Sequence, residues 1–155
     1  MKAIIGGAGR PIELLLVEDN PGDVRLTQEA FRRHANSSIT LHVVSDGVEA
    51  MAFLRRKGAH VHASRPDLVL LDLNLPRMDG REVLAEIKVD DDLKTIRIVI
   101  LTASDAAEDV MKSYQLQANC YLCKPVEYEA FVSLVKSIND FWLTKVELPQ
   151  HGASG

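Results

Sequence analysis

The feature that most constrains the fold of this chain is a regular alternation of short apolar runs with amphipathic segments. Five apolar runs occur, and each is followed by a segment in which apolar residues have helical spacing. Runs this short and this apolar are typical of strands that are covered on both faces. Strands that alternate with helices predict an α/β fold, in which helices pack on both faces of a parallel sheet. The predicted strands are Pro11–Asp19, Ile39–Val44, Asp67–Asp72, Ile96–Thr102 and Cys120–Leu122.

Capping signals and apolar spacing predict five helices. Pro21-Gly22-Asp23 opens the first helix, which is expected to reach about Ala35. Two capping boxes open the second and third helices, Asp46 with Glu49 and Asp79 with Glu82. We expect Gly58 to end the second helix, because glycine readily adopts the left-handed conformation found there. Apolar residues at i, i+3, i+4 and i+7 mark the fourth helix (Ala107, Val110, Met111, Tyr114) and the fifth (Phe131, Leu134, Val135, Ile138, Phe141).

The length of 155 residues fits a single domain. We expect a flexible, glycine-rich segment at residues 1–10, the domain itself at 11–143 and a C-terminal extension at 144–155. The net charge of −4 argues against a nucleic-acid-binding surface, which is usually basic. No apolar run approaches the roughly 20 residues that cross a bilayer, and no signal peptide is recognisable, so we expect a cytoplasmic protein with no membrane partner.

Two cysteines, Cys120 and Cys123, form a C-x-x-C pair on the predicted fifth strand. Such a pair can be a redox centre or half of a zinc site. Against both, the chain has no second cysteine pair, its histidines lack ligand spacing, and residues i and i+3 of a strand point to opposite faces. We therefore expect these cysteines to be small buried core residues.

Polar residues stand where the predicted strands end. Glu18-Asp19 ends the first strand and Asp72 the third, whereas Thr102 ends the fourth and Lys124-Pro125 follows the fifth. In an open parallel sheet, ligands bind outside the carboxyl ends of the strands, so these side chains are expected to converge. Each of these residues alone has an ordinary structural explanation, such as a turn or a helix cap. Together, at the correct strand ends, they predict a functional site.

Three converging carboxylates repel one another unless one is protonated or a cation is bound. At about 4 Å, two like charges repel by about 4 kcal/mol at an effective dielectric near 20. Oxygen ligands favour Mg²⁺, which keeps several waters and binds one or two carboxylates together with phosphate oxygens. A carboxylate beside such a metal suits phosphoryl transfer, in which the protein positions groups and neutralises charge. Asp72 is the predicted nucleophile, and Glu18 and Asp19 are predicted to hold the metal directly or through water.

From Ile12 to Leu143 the sequence resembles the receiver domains of two-component response regulators. The motifs that carry the resemblance are Glu18-Asp19, Leu-Leu-Asp72-Leu-Asn-Leu-Pro-Arg-Met-Asp-Gly, Leu-Thr102-Ala and Tyr121-Leu-Cys-Lys124-Pro125. The resemblance implies a flavodoxin-like sheet of five parallel strands in the order 2-1-3-4-5. It also implies a signalling protein rather than an enzyme. Such a protein promotes its own phosphorylation and dephosphorylation, and it receives the phosphoryl group from a phosphohistidine on a sensor histidine kinase.

The resemblance assigns a role to each site residue. Asp72 is implied as the phosphoacceptor, Asp19 as a direct Mg²⁺ ligand and Glu18 as an indirect one, with Asn74 supplying a backbone carbonyl to the metal. Lys124 is implied to bind one phosphoryl oxygen, and Thr102 to form a hydrogen bond to another. Tyr121 resembles the switch aromatic that turns inward when Thr102 moves toward the phosphate, and Lys124-Pro125 resembles the cis peptide of the family.

Within the family, the sequence is most similar to stand-alone regulators that are paired with phytochrome-type histidine kinases. The supporting segments are Glu-Asp-Asn-Pro21-Gly22-Asp23, Asn119-Cys-Tyr-Leu-Cys-Lys-Pro and Asp-Phe141-Trp142-Leu, together with the segment around Asp72. Three positions depart from the common pattern: Arg97 replaces a frequent Pro, Cys123 a frequent Thr or other small residue, and Glu18 the commoner Asp. Of these, only Glu18 bears on the chemistry, through the geometry of the metal site.

With no output domain predicted, the signal is expected to leave through the face formed by the fourth helix, the fifth strand and the fifth helix. Tyr114, Phe141 and Trp142 are aromatic candidates for an interface there. We favour a core role for Phe141, and a dimer contact or docking of the tail for Trp142. Because relatives in the phytochrome subset dimerise across this face, we expect a homodimer.

Three alternatives stay open at this point. A flavodoxin-like cofactor binder would share the topology, but Glu18-Asp19-Asn20 would repel the phosphate that its first loop should bind. A phosphohydrolase of the haloacid dehalogenase type would need a second Asp at the position of Asn74, and a cap domain. A phosphate sink or relay intermediate without its own target would have the same fold and site, and nothing in the sequence separates it from a switch.

Overall fold

The computed structural model describes residues 11–34, 39–103, 110, 114–115 and 118–140. Five parallel strands form one sheet in the order β2-β1-β3-β4-β5, which confirms the predicted topology. β3 is the central strand, β1 pairs with both β2 and β3, and β2 and β5 form the two edges. The strands are β1 (Ile12–Val17), β2 (Ile39–Val44), β3 (Leu68–Leu71), β4 (Arg97–Thr102) and β5 (Cys120–Cys123).

Four α-helices connect or follow these strands within the described residues. They are α1 (Pro21–His34), α2 (Gly47–Arg55), α3 (Gly80–Val89) and α4 (Tyr128–Ile138), the last being the fifth helix predicted from the sequence. The predicted fourth helix lies mostly outside the described residues, although Val110 and residues 114–115 are helical. Phe141 and Trp142 also lie outside them. No helix of the described part is both long and apolar enough to cross a membrane.

Successive side chains of each strand point to opposite faces of the sheet, which divides the core into two layers. Leu14 and Leu16 of β1 lie in the cluster beneath α1 and α4, which includes Phe31 and Phe131. Leu15 and Val17, pointing the other way, lie in the cluster beneath α2 and α3. Since β1, β3 and β4 are covered on both faces, their side chains are almost all fully buried. The sheet is therefore a rigid support for the groups at its carboxyl edge.

The start of α3 agrees with the prediction, whereas α2 differs from it in the role of Glu49 and in the residue at which the helix ends. Asp79 and Glu82 form the complete capping box of α3. At α2, Asp46 accepts from the Glu49 backbone, while the Glu49 carboxylate lies 3.1 Å from His60 Nε2. The prediction that Gly58 ends α2 was wrong, because the helix ends at Arg55 and Arg56 adopts the left-handed conformation with φ +56°. Backbone bonds from Arg56 and Lys57 to helix carbonyls, at 3.2 and 2.9 Å, hold Arg56 in this less favoured conformation.

The prediction that both cysteines are buried was also wrong. Cys120 is half-buried against the cluster beneath α1 and α4, whereas Cys123 is exposed. Since β5 is an edge strand, and Cys123 is its last residue, the sheet leaves that side chain open to solvent. Burial raises the pKa of the Cys120 thiol.

Candidate functional site

The carboxyl edge of the sheet brings the predicted acids together. Glu18 follows β1 directly, and its N–H donates to Val44 O at 3.0 Å. Asp72 follows β3, and its N–H donates to Val17 O at 3.1 Å. Because both residues continue the backbone ladder past their strands, their side chains start from fixed positions. The convergence thus follows from strand pairing.

The carboxylates of Glu18, Asp19 and Asp72 form the acid cluster. One ligand oxygen from each lies within 4.8 Å of the other two. Glu18 and Asp72 are buried, with 4% and 6% exposure, and Asp19 is exposed. One side of the acid cluster therefore faces solvent, which a ligand exchanging with water requires.

Lys124 is the cation of this site. Its Nζ donates to Glu18 Oε1 at 2.6 Å and to Asp23 Oδ2 at 2.8 Å, and lies 3.6 Å from Asp72 Oδ2. Burial would lower the pKa of the Lys124 ammonium, but the bonds to Asp23 and Glu18 and the charge of Asp72 outweigh it, so the pKa is raised. Burial is also the main reason why the pKa of Glu18 is raised, although the bond from Lys124 opposes that shift. The lysine is therefore held in its charged form.

The donor set suits a hard divalent cation. Within the described residues, four carboxylates (the acid cluster and Asp23) meet one ammonium group, which leaves an excess of negative charge. The acid cluster offers only oxygen ligands, which favour Mg²⁺ or Mn²⁺ over metals that prefer nitrogen or sulfur. Charge and ligand type therefore agree with the metal predicted from the sequence.

Thr102, the last residue of β4, has a buried hydroxyl that lacks a partner. The residue is fully buried, and its Oγ1 makes no hydrogen bond within the described part of the chain. Leaving a buried hydroxyl unpaired costs about 1–3 kcal/mol. The Thr102 carbonyl, in contrast, accepts from the Lys124 N–H at 2.7 Å. Among the described residues, the hydroxyl is thus available to a bound group.

The loop after β3 packs closely around the site. The Asn74 N–H donates to Asp72 Oδ1 at 3.3 Å. A Cβ added at Gly80 would lie 2.2 Å from Asp72 O, so this close approach requires glycine. Arg77 adopts φ +66°, and its Nε lies 3.2 Å from Asp46 Oδ2 at the start of α2. The loop that carries Asn74 is therefore anchored at both the sheet and a helix.

Tyr121 lies in the middle of β5, level with Ile100 of β4. Its side chain is half-buried and packs against the cluster beneath α2 and α3. The predicted switch aromatic is therefore turned toward the core in this structure, two residues before Cys123.

Two features of the site differ from, or add to, the sequence prediction. The cis peptide expected at Lys124-Pro125 is not found: no cis peptide bond occurs among the described residues, and this peptide is trans, the isomer that X-Pro favours by about 0.5–1 kcal/mol. Asp23, a direct partner of Lys124, was missed as a site residue, since its position after Pro21-Gly22 was interpreted only as a helix start. The signal that could have found it is its closeness in sequence to Glu18-Asp19.

Comparison with known proteins decides the family. A family model described as the response regulator receiver domain matches residues 14–136. This chain is a member of that family. The protein is accordingly a receiver of phosphorelay signalling, as the motifs around Asp72 and Lys124 predicted.

Individual relatives agree with the family assignment. The receiver is 48% identical to "Response regulator Rcp1" of Synechocystis sp. over 139 residues, which cover 90% of this chain and 94% of that protein. It is 31% identical to Sporulation initiation phosphotransferase F of Bacillus subtilis over 124 residues, covering 80% of this chain and 90% of that protein.

Solved structures lead to the same relatives. The phosphorylated cyanobacterial phytochrome response regulator RcpA superposes with a TM-score of 0.84 at 48% identity, covering 87% of this chain and 96% of that one. The Mn²⁺-bound form of Rcp1 gives a TM-score of 0.82 at 47% identity, covering 86% of this chain and 95% of that one. The predicted similarity to phytochrome-associated regulators is therefore confirmed.

Proposed function

We propose that Asp72 is the phosphoacceptor of this receiver, and that Glu18, Asp19 and Asp72 hold Mg²⁺ beside it, with the backbone carbonyl of Asn74 as a further ligand. The observation that carries the proposal is the convergence of three carboxylates within 4.8 Å next to one buried ammonium group. When bound, the metal would supply positive charge to the oxygens of the transferring phosphoryl group. The Mn²⁺-bound form of Rcp1 supports a divalent cation in this family.

The surroundings of each acid favour Asp72 as the nucleophile. Glu18 is occupied by two hydrogen bonds, from Lys124 Nζ at 2.6 Å and from the Asn20 N–H at 3.1 Å. Asp19 is exposed, where a nucleophile would be least protected from water. Asp72 is buried, and Lys124 Nζ lies 3.6 Å from its Oδ2. A nucleophile needs this combination of a fixed backbone and a nearby cation.

The chemistry follows from these positions. A carboxylate oxygen of Asp72 attacks the phosphorus of a phosphohistidine; a P–O bond forms, the P–N bond breaks, and the leaving imidazole takes up the electron pair. The Lys124 ammonium would neutralise charge on the phosphoryl oxygens, and the Thr102 hydroxyl, which lacks a partner among the described residues, would donate a hydrogen bond to one of them. The same groups would promote autophosphorylation from small donors and later hydrolysis of the acyl phosphate.

We propose a phytochrome-type histidine kinase as the partner. The support is the 48% identity to RcpA, which is described as a phytochrome response regulator, over 87% of this chain. Phosphotransfer from purified candidate kinases to the receiver tests this assignment. A kinase of another type that phosphorylates the receiver faster would contradict it.

The response to phosphorylation would pass from Thr102 to Tyr121, because they lie two residues apart in register on neighbouring strands. The receiver would then form a homodimer through the face made by the fourth predicted helix, β5 and α4. Tyr114 supports this interface, since its side chain is 54% exposed. Light scattering of wild type, Tyr114→Ala and the control Val89→Ala tests it, because Val89 is exposed at the end of α3, outside this face. Monomeric wild type, or equal weakening by both substitutions, would contradict this interface.

The acceptor assignment is tested by intact mass after incubation with acetyl phosphate, with and without Mg²⁺. We expect one phosphoryl adduct on wild type in the presence of Mg²⁺ and none on Asp72→Asn. Asp91→Asn is the matched control, because it makes the same substitution at an exposed residue whose carboxylate, within the described part of the chain, pairs with its neighbour Lys94. An adduct on Asp72→Asn equal to that on wild type would refute the assignment.

A further inference from the structure

Asp23, in the first turn of α1, contacts the site without belonging to the acid cluster. We infer that Asp23 is a positioning residue, which holds the Lys124 ammonium at the phosphoryl site through a hydrogen bond that a metal ion in the acid cluster does not share. The inference rests on the proposed function, because it takes Lys124 as the group that neutralises the phosphoryl oxygens on Asp72.

The geometry of Lys124 Nζ gives Asp23 this role. An ammonium group has three N–H donors. Within the described residues, one donates to Glu18 Oε1 at 2.6 Å and one to Asp23 Oδ2 at 2.8 Å. The 3.6 Å between Nζ and Asp72 Oδ2 exceeds the length of an N–H···O hydrogen bond. Two carboxylates therefore fix the nitrogen, and one donor stays available for an oxygen added to Asp72.

The two carboxylates that hold Lys124 are not equivalent. Glu18 is 4% exposed and belongs to the acid cluster, so a divalent cation there and the ammonium of Lys124 would share its charge. Two cations that share one carboxylate repel each other, and the repulsion is strongest where solvent screens least. Asp23 lies outside the acid cluster, and among the described residues its carboxylate pairs with the Lys124 ammonium alone. It is therefore the partner expected to retain Lys124 when a metal ion is bound.

Asp23 itself is well held by its own helix. Asn20 Oδ1 accepts from the N–H groups of Gly22 and Asp23, at 2.9 and 3.1 Å. Thr27 Oγ1 donates to Asp23 O at 2.7 Å. Because the backbone is fixed on both sides, the carboxylate reaches Lys124 from a defined position. A negative charge in the first turn also stabilises a helix, so a test must separate that effect from positioning.

A double-mutant cycle separates the two effects. The initial rate of phosphorylation by acetyl phosphate is measured at saturating Mg²⁺ for wild type, Asp23→Asn, Lys124→Met and the double variant. We expect Asp23→Asn to lower the initial rate about tenfold, because it weakens one hydrogen bond to a charged group. Once Lys124 is replaced, Asp23→Asn should not lower the rate further. Glu29→Gln removes a charge from the same helix away from Lys124, and should keep the wild-type rate.

Either of two rate results would overturn the inference: Asp23→Asn as fast as wild type or faster, or Asp23→Asn slower by the same factor with and without Lys124. The same four proteins are also unfolded in urea, with and without Mg²⁺, to measure the coupling of Asp23 to Lys124 independently of phosphorylation. We expect this coupling to persist in Mg²⁺, and its disappearance there would refute positioning by Asp23. A wild type that gains no phosphoryl group would instead refute the proposed function, so the two failures are distinguishable.

Discussion

Replacing Thr102 by Val is expected to stabilise the unphosphorylated receiver. The Thr102 side chain is fully buried, and its hydroxyl makes no hydrogen bond to any described residue. A buried hydroxyl without a partner costs about 1–3 kcal/mol, and a methyl group of the same shape removes that cost. We therefore expect the free energy of unfolding to rise by about 1–3 kcal/mol. For a chain of this length, each kcal/mol corresponds to about 2–4 °C in Tm.

Thr27 provides a matched control. It is also buried, with 1% exposure, but its Oγ1 donates to Asp23 O at 2.7 Å. Thr27→Val loses this bond, and is expected to destabilise the protein by about 0.5–1.5 kcal/mol. The same chemical change thus has opposite signs at the two sites, and urea unfolding without Mg²⁺ or phosphoryl donor measures both. If Thr102→Val lost stability as Thr27→Val does, the Thr102 hydroxyl would have a partner in solution and the reasoning would be refuted.

The sign at Thr102 should reverse once the site carries a phosphoryl group. If the Thr102 hydroxyl donates to a phosphoryl oxygen, phosphorylation satisfies it with a bond to a charged acceptor, worth about 1.5–3 kcal/mol. Thr102→Val loses that bond, so phosphorylation should raise the Tm of this variant less than that of wild type. An equal rise in both proteins would show that the hydroxyl does not bind the phosphoryl group.

Three further results are expected. Lys124→Met leaves Glu18 and Asp72 buried without their cation, and should cost about 3–5 kcal/mol in Mg²⁺-free urea unfolding, part of which Mg²⁺ should restore; a loss that Mg²⁺ does not change would contradict the shared charge balance. Gly80→Ala places a Cβ 2.2 Å from Asp72 O and should cost at least about 1–3 kcal/mol, with slower phosphorylation; an unchanged unfolding midpoint would contradict the close approach. Iodoacetamide should modify the exposed Cys123 before Cys120, because burial raises the pKa of the Cys120 thiol. Because the thiolate is the reactive form, the alkylation rate of Cys120 should approach that of Cys123 as the pH rises. Equal alkylation rates of the two cysteines at neutral pH, measured by peptide mapping, would contradict this prediction.

The sequence alone was sufficient for the order of elements and for the edge where the chemistry lies. Apolar runs separated by helical spacing predict a parallel sheet, and parallel strands end at a common edge, so the positions of Glu18-Asp19, Asp72 and Thr102 at strand ends predicted the site before any contact was known. The capping box of Asp79 and Glu82 was equally readable, because it lies within four consecutive residues.

Tertiary structure alone decided which side chains meet across those elements. Asp23 and Lys124 are 101 residues apart, and their contact depends on how α1 packs against α4, the helix that follows Lys124, which no local spacing encodes. The exposure of Cys123 follows from its place at the end of an edge strand, and the left-handed Arg56 from two backbone bonds at the end of α2. The partnerless hydroxyl of Thr102 likewise emerges only when every neighbouring donor and acceptor in the described structure has been placed. Periodicity fixes the faces and ends of elements because it is local, whereas burial and charge pairing depend on the whole packed chain.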